Sequence, residues 1–132
     1  QGEDMKKVLI VEDTFDTALD LMLPLNARNY DVDMVATKDQ ALEWISKASY
    51  DLVITDGCFP EKEGEMTRFY GNDVCKAAKA RSLDTIVIGY SATPDEFKGE
   101  FDQKYCKLLH SPEYVTEVAS KYLTSDKPTD AR

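Results

Sequence analysis

The residues of this chain best suited to chemistry are carboxylates standing where apolar runs end. Glu12 and Asp13 follow "VLIV" (8–11), and Asp56 follows "LVIT" (52–55) and precedes Gly57. A hydroxyl, Ser91, lies near the end of a third run, "TIVIGYSA" (85–92). A fourth, "KYCKLLH" (104–110), leads from Lys107 through His110 into Ser111. Short apolar runs of this kind read as buried strands of a parallel sheet. In open α/β sheets the ligand site lies beyond the carboxyl ends of the strands, so these residues are expected to share one pocket. Two carboxylates about 4 Å apart repel by roughly 4 kcal/mol at an effective dielectric of about 20. Such a cluster needs a proton or a cation. Mg²⁺ suits it, being a hard ion that takes oxygen ligands and keeps waters beside one or two carboxylates. A divalent metal, one exposed carboxylate and a hydroxyl form a toolkit for phosphoryl transfer onto that carboxylate. The plainer readings are a helix or loop cap for Asp13 or Asp56, a turn serine for Ser91 and a solvent-edged strand end for His110.

The elements that must position these groups follow from the hydrophobic pattern. A strand over 8–11 leads into a helix over 14–29, capped by Asp13 or Thr14. Pro24 within it removes a backbone donor, at roughly 3 kcal/mol if the helix runs straight, and predicts a kink or a break. Residues 30–36 alternate like a strand with one exposed face. Residues 38–48 place Ala41, Leu42, Trp44 and Ile45 on an amphipathic helix, with Trp44 in the core. A long polar loop follows Asp56, punctuated by Pro60, Gly64 and Gly71, and a helix spans 72–82. After the strand at 85–92, Thr93-Pro94 starts a helix over 93–103 that Gly99 makes short or weak. The last strand, 104–110, precedes a helix over 111–123 opened by Ser111-Pro112. Five strands alternating with five helices predict an α/β fold, a doubly wound five-stranded parallel sheet.

The chain of 132 residues fits one domain, expected over 6–123, with flexible ends at 1–5 and 124–132 and a candidate tag remnant at Gln1-Gly2. Its 42% hydrophobic and 31% charged residues are those of a soluble globular protein, and no apolar run approaches a membrane span. Three scattered cysteines suit reduced thiols in a cytosol, and one histidine leaves little basis for a zinc site. A net charge of −9 disfavours direct nucleic-acid binding.

With these elements in order, the chain resembles the receiver domain of two-component response regulators. The resemblance rests on "VLIVED", "YDLVITD", Pro60, Gly64 and "IGYSA", and it covers residues 6–123. It implies a flavodoxin-like fold and a cytoplasmic signalling phosphoacceptor rather than an enzyme. Asp56 would be phosphorylated by a partner histidine kinase or histidine phosphotransfer protein. Mg²⁺ would be held by Asp13, Asp56 and the Cys58 carbonyl, with Glu12 helping through water. Ser91 would bind the phosphoryl group and move on switching, altering a face read by a partner or a second copy of the chain.

Two departures stand out. The loop over 61–71 is longer than usual, and Ser111 occupies the place before the proline where receivers carry a lysine. His110 and Lys107 are the other candidates for that role, Lys107 only in a different register. Leu108 stands where many receivers have a switching aromatic. These departures motivate an alternative, a degenerate receiver acting as a phosphorylation-independent interaction module. An aspartate-nucleophile phosphatase would close its first strand with the nucleophile, whereas here the candidate is on the third. A flavodoxin would need an anion-accepting loop where "VEDTFDT" is acidic.

Overall fold

The computed structural model describes residues 5–124. In chain order the elements are β1 (Lys7–Val11), α1 (Phe15–Ala27), β2 (Asp31–Val35), α2 (Lys38–Lys47), β3 (Leu52–Thr55), β4 (Cys58–Pro60), β5 (Thr67–Phe69), α3 (Gly71–Arg81), β6 (Ile86–Ser91), a 3₁₀ turn (Pro94–Glu96), β7 (Gln103–Cys106) and α4 (Pro112–Leu123). Five parallel strands form the main sheet in the order β2-β1-β3-β6-β7. The chain therefore winds outward from β1 in one direction and then in the other. The switch in strand order lies between β1 and β3, which puts a crevice beyond their carboxyl ends.

Two cores, one on each face, explain why β1 and β3 read as unbroken apolar runs. Val8, Ile10, Leu52, Ile54 and Ile88 pack beneath α1 and α4, against Leu21, Leu25, Val115 and Ala119. Leu9, Val11, Val53 and Val87 face the other way, toward Ala41 and Ile45 of α2 and Val74 and Ala78 of α3. Strands covered on both faces need apolar residues at every position.

Several expectations are corrected. The first helix runs through Pro24 without the break that was one of the two expectations there; the carbonyl deprived of a donor belongs to Asp20, an exposed residue. The segment expected as a short or weak helix over 93–103 forms only the 3₁₀ turn: the chain turns extended at Phe97 (φ −69°, ψ 126°), whose ring is buried, and Gly99 at a φ of 119° keeps it from resuming. The last strand stops at Cys106, and residues 107–110 form a turn closed by the Leu109 and His110 N–H groups on Cys106 O, both at 3.0 Å. Part of the polar loop after Asp56 is a hairpin, β4 antiparallel to β5, whose bend uses Gly64 at a φ of 87°. Trp44, expected in the core, is 43% exposed. The expectation of flexible ends concerns mainly residues 1–4 and 125–132, which lie outside the described residues.

Candidate functional site

β1 and β3 pair in register, Val11 opposite Thr55, so the residues that follow leave the sheet side by side. The Asp56 N–H donates to Val11 O (2.8 Å) and the Glu12 N–H to Val35 O (3.0 Å), which fixes both backbones at the strand ends. Carboxylate oxygens of Glu12, Asp13 and Asp56 lie within 4.8 Å of one another. Glu12 is buried and Asp13 exposed, while Asp56 sits at the boundary with 9% of its surface accessible. The expected convergence is present.

The cation in this cluster is the Lys107 ammonium. Cys106, the last residue of β7, pairs with Ser91 of β6, and the Lys107 N–H donates to Ser91 O at 2.9 Å. That register sends the side chain across the strand ends. Its Nζ lies 2.8 Å from Glu12 Oε1 and 3.2 Å from Asp56 Oδ2. The other oxygens of the two buried carboxylates accept backbone donors: Asp56 Oδ1 from the Gly57 N–H (2.6 Å) and Glu12 Oε2 from the Thr14 N–H (3.1 Å). Charge-assisted contacts of this kind are the strong class of hydrogen bond.

One ammonium does not neutralise three carboxylates. Burial and the neighbouring Asp56 charge push the Glu12 carboxyl up to about 7, although Lys107 pulls against them. Asp13 is also raised, first by burial and then by Asp56. Burial draws the Lys107 ammonium downward, but Glu12 and Asp56 overcome it and leave the group above its ordinary value. The pocket holds more negative charge than it can solvate. A hard divalent ion fits this donor set, since it would find three carboxylates on one side of an open crevice.

The remaining sequence candidates sort clearly. Ser91 is buried, and its Oγ accepts the Thr93 N–H at 3.0 Å. The hydroxyl also lies 3.0 Å from where a Cβ on Gly57 would sit, which places it at the rim beside Asp56. Tyr70 N–H bonds to Gly57 O (2.9 Å), so the alternation of an antiparallel ladder makes Cys58 opposite Phe69 a non-hydrogen-bonded pair. The Cys58 carbonyl is thus left out of the hairpin bonding, as a metal ligand must be. Its exposed thiol is raised by burial and then by Asp56. Ser111 is the N-cap of α4, accepting the Tyr114 N–H at 3.2 Å. The His110 ring packs edge-on to Tyr105 (5.0 Å) and stacks on Tyr114 (4.9 Å). Leu108 is exposed. Of the three candidates for the lysine role, only Lys107 touches the carboxylates. Counting back from Pro112 put it in a different register; counting forward from the β7 residue paired with Ser91 selects it among the three.

No protein-family model matches the sequence, and no curated protein does. Solved structures do. Chemotaxis response regulator CheY4 of Vibrio cholerae superimposes with a TM-score of 0.70 at 20% identity, over 89% of this chain and 98% of its own. The fold is that of a response-regulator receiver domain. The receiver domain of a Pseudomonas aeruginosa sensor histidine kinase, with a magnesium ion coordinated in its active-site cleft, gives 0.70 at 15% identity over 90% of this chain and 98% of its own. A Burkholderia pseudomallei response regulator with a phosphorylated aspartic acid and a calcium ion gives 0.65 at 15% identity over 92% of this chain and 68% of its own. Against the expected alternation of five strands and five helices, the β4–β5 hairpin is an addition, and the helix between β6 and β7 is reduced to the 3₁₀ turn.

Proposed function

We propose that the chain is a phosphoacceptor receiver. Asp56 takes a phosphoryl group from a phosphohistidine of a partner kinase or phosphotransfer protein, and the added charge shifts a two-state equilibrium read by another protein. A carboxylate oxygen attacks phosphorus; the P–O bond forms as the P–N bond breaks, and the imidazole leaves with the bonding pair. The Gly57 N–H and the Lys107 ammonium hold the two oxygens of Asp56 in place for that attack. Lys107 is then within reach of the phosphoryl oxygens and offsets part of their charge. Ser91, at the rim, has a hydroxyl to offer them. Mg²⁺, held by Glu12, Asp13, Asp56 and the Cys58 carbonyl, supplies neutralisation of the charge that develops on the transferring group. The reading makes the protein a cytoplasmic acceptor rather than an enzyme.

One observation carries it: an ammonium bridges Glu12 and Asp56 at 2.8 and 3.2 Å in a crevice crowded with carboxylates. The degenerate-receiver alternative rested on a missing lysine, and Lys107 weighs against it. The magnesium and the phosphorylated aspartic acid in two neighbours of the same fold add support. The test is mass spectrometry after exposure to acetyl phosphate and Mg²⁺. Wild type should gain the mass of one phosphoryl group and Asp56→Asn none. An unmodified wild type, or an equal gain in the variant, would overturn the assignment.

A further inference from the structure

The phosphoacceptor's neighbour, Gly57, is crowded by an aromatic ring that comes from the hairpin. A Cβ on Gly57 would collide with Phe69 and stand 3.0 Å from Ser91 Oγ, so the ring edge and the hydroxyl converge on one spot beside Asp56. The hairpin's exit is tied to the same residue, since the Tyr70 and Gly71 N–H groups both donate to Gly57 O at 2.9 Å. From Phe69 the contact continues edge-on to Phe97 (ring centroids 5.3 Å) and on to Phe101 (4.6 Å).

Phe97 holds the segment that replaces a helix. It is fully buried, on faces left open by Gly71 and Gly89, where a Cβ would meet its ring at 2.8 and 2.6 Å. It is also the only buried residue between Ala92 and Glu100. Open clefts of about 560 and 540 Å³ flank the segment, both bordered by Lys98 and Gly99. Over residues 93–100 its other tethers are the Asn72 side chain, bonded to Glu96 O (3.1 Å) and the Lys98 N–H (2.8 Å), and the Lys104 ammonium on Phe97 O (3.2 Å). Asp102 fastens the far end: its N–H donates to Val87 O and its Oδ2 accepts the Val87 N–H, both at 2.8 Å, and the Lys79 ammonium at 2.9 Å. Residues 93–100, with one buried anchor and so few tethers ahead of the fastened Asp102, belong to the low-stability end of a fold.

We propose that Phe69 is a relay between the Asp56 site and the 93–102 segment, a regulation that rests on the phosphoacceptor reading. Ser91 Oγ now accepts the Thr93 N–H at 3.0 Å and lies 3.4 Å from Thr93 Oγ1, and a rotation about its Cα–Cβ bond would carry it away from both to donate to a phosphoryl oxygen on Asp56. When it turns to the phosphoryl group, the Thr93 N–H loses its acceptor and the space beside Gly57 opens. Phe69 shifts into that space, Phe97 loses a packing partner, and the segment loosens. The receiver's output then leaves through the hairpin and the 93–102 segment, with no aromatic residue of β7 involved.

The experiment is hydrogen exchange of the intact chain with Mg²⁺ and beryllofluoride, with fluorine-19 NMR reporting whether beryllofluoride is bound. Wild type should bind, and amides 93–102 should exchange about five- to tenfold faster, the lower range of ordinary couplings. Phe69→Leu should bind equally while the change at 93–102 is lost; Phe69→Met serves if leucine impairs folding. Bound beryllofluoride with unchanged exchange in wild type, or an undiminished change in the variant, overturns the relay and leaves the acceptor reading intact. No bound beryllofluoride in wild type overturns both.

Discussion

Lys107→Met removes the ammonium while keeping the stem, and the geometry sets the size of the effect. At an effective dielectric of about 20, contacts of 2.8 and 3.2 Å correspond to roughly 6 and 5 kcal/mol of attraction before desolvation. Withdrawing three charged groups from water cancels much of that. The net loss on orphaning buried charge is roughly 3–5 kcal/mol, and the lower end applies because the lysine keeps 23% of its side-chain surface in solvent. The assay is urea unfolding in EDTA at pH 8 and pH 5.5, then at pH 8 with Mg²⁺. At pH 8, above the Glu12 value of about 7, that carboxylate is ionised and the variant should lose about 3 kcal/mol. At pH 5.5, below the Glu12 value of about 7, one carboxylate is already neutral and the loss should shrink by about half. Saturating Mg²⁺ should also narrow the gap, and the variant should bind the ion more tightly because no ammonium competes. A variant as stable as wild type at pH 8, or a loss independent of pH and metal, would refute the assigned role.

Other outcomes follow from the same structure. Glu12, raised from 4.5 to about 7, favours the fold only while protonated, so its contribution is complete below pH 4.5 and is lost as pH rises through 7. The difference, up to about 3 kcal/mol, should vanish in Glu12→Gln when metal-free unfolding curves are compared across that range. Ser111→Ala should cost about 1 kcal/mol through loss of the α4 cap, with acetyl phosphate labelling unchanged. Weaker labelling would return Ser111 to the site. Gly89→Ala should cost about 1–3 kcal/mol, seen as a lower urea midpoint at constant slope, because its Cβ meets Phe97 at 2.6 Å.

The main sheet was legible because β1 and β3 are covered on both faces and so carry unbroken apolar runs. The acids were legible because strand ends are where such sheets place their chemistry. What escaped the sequence reading depended on contacts distant along the chain. Thr93-Pro94 is a sound helix start, but Gly99 and the burial of Phe97 against two glycines give the segment a different packing. The hairpin strands are three residues each, too short for a periodic signal, and Phe69 gains its meaning only beside Gly57. Lys107 stood as one of three candidates, and a local rule, adjacency to proline, could not choose it where the deciding constraint was the pairing of Cys106 with Ser91.

The turn over 107–110 has a mechanical consequence. Cys106 O gathers the N–H groups of Leu109 and His110, and the Tyr90 hydroxyl pins His110 O at 2.6 Å. The lysine is thereby moored to the sheet while the chain beyond it runs through a closed turn before α4 begins. A tug on the ammonium is resisted by that closed turn, and its path to α4 runs through the His110 ring stacked on Tyr114 at 4.9 Å.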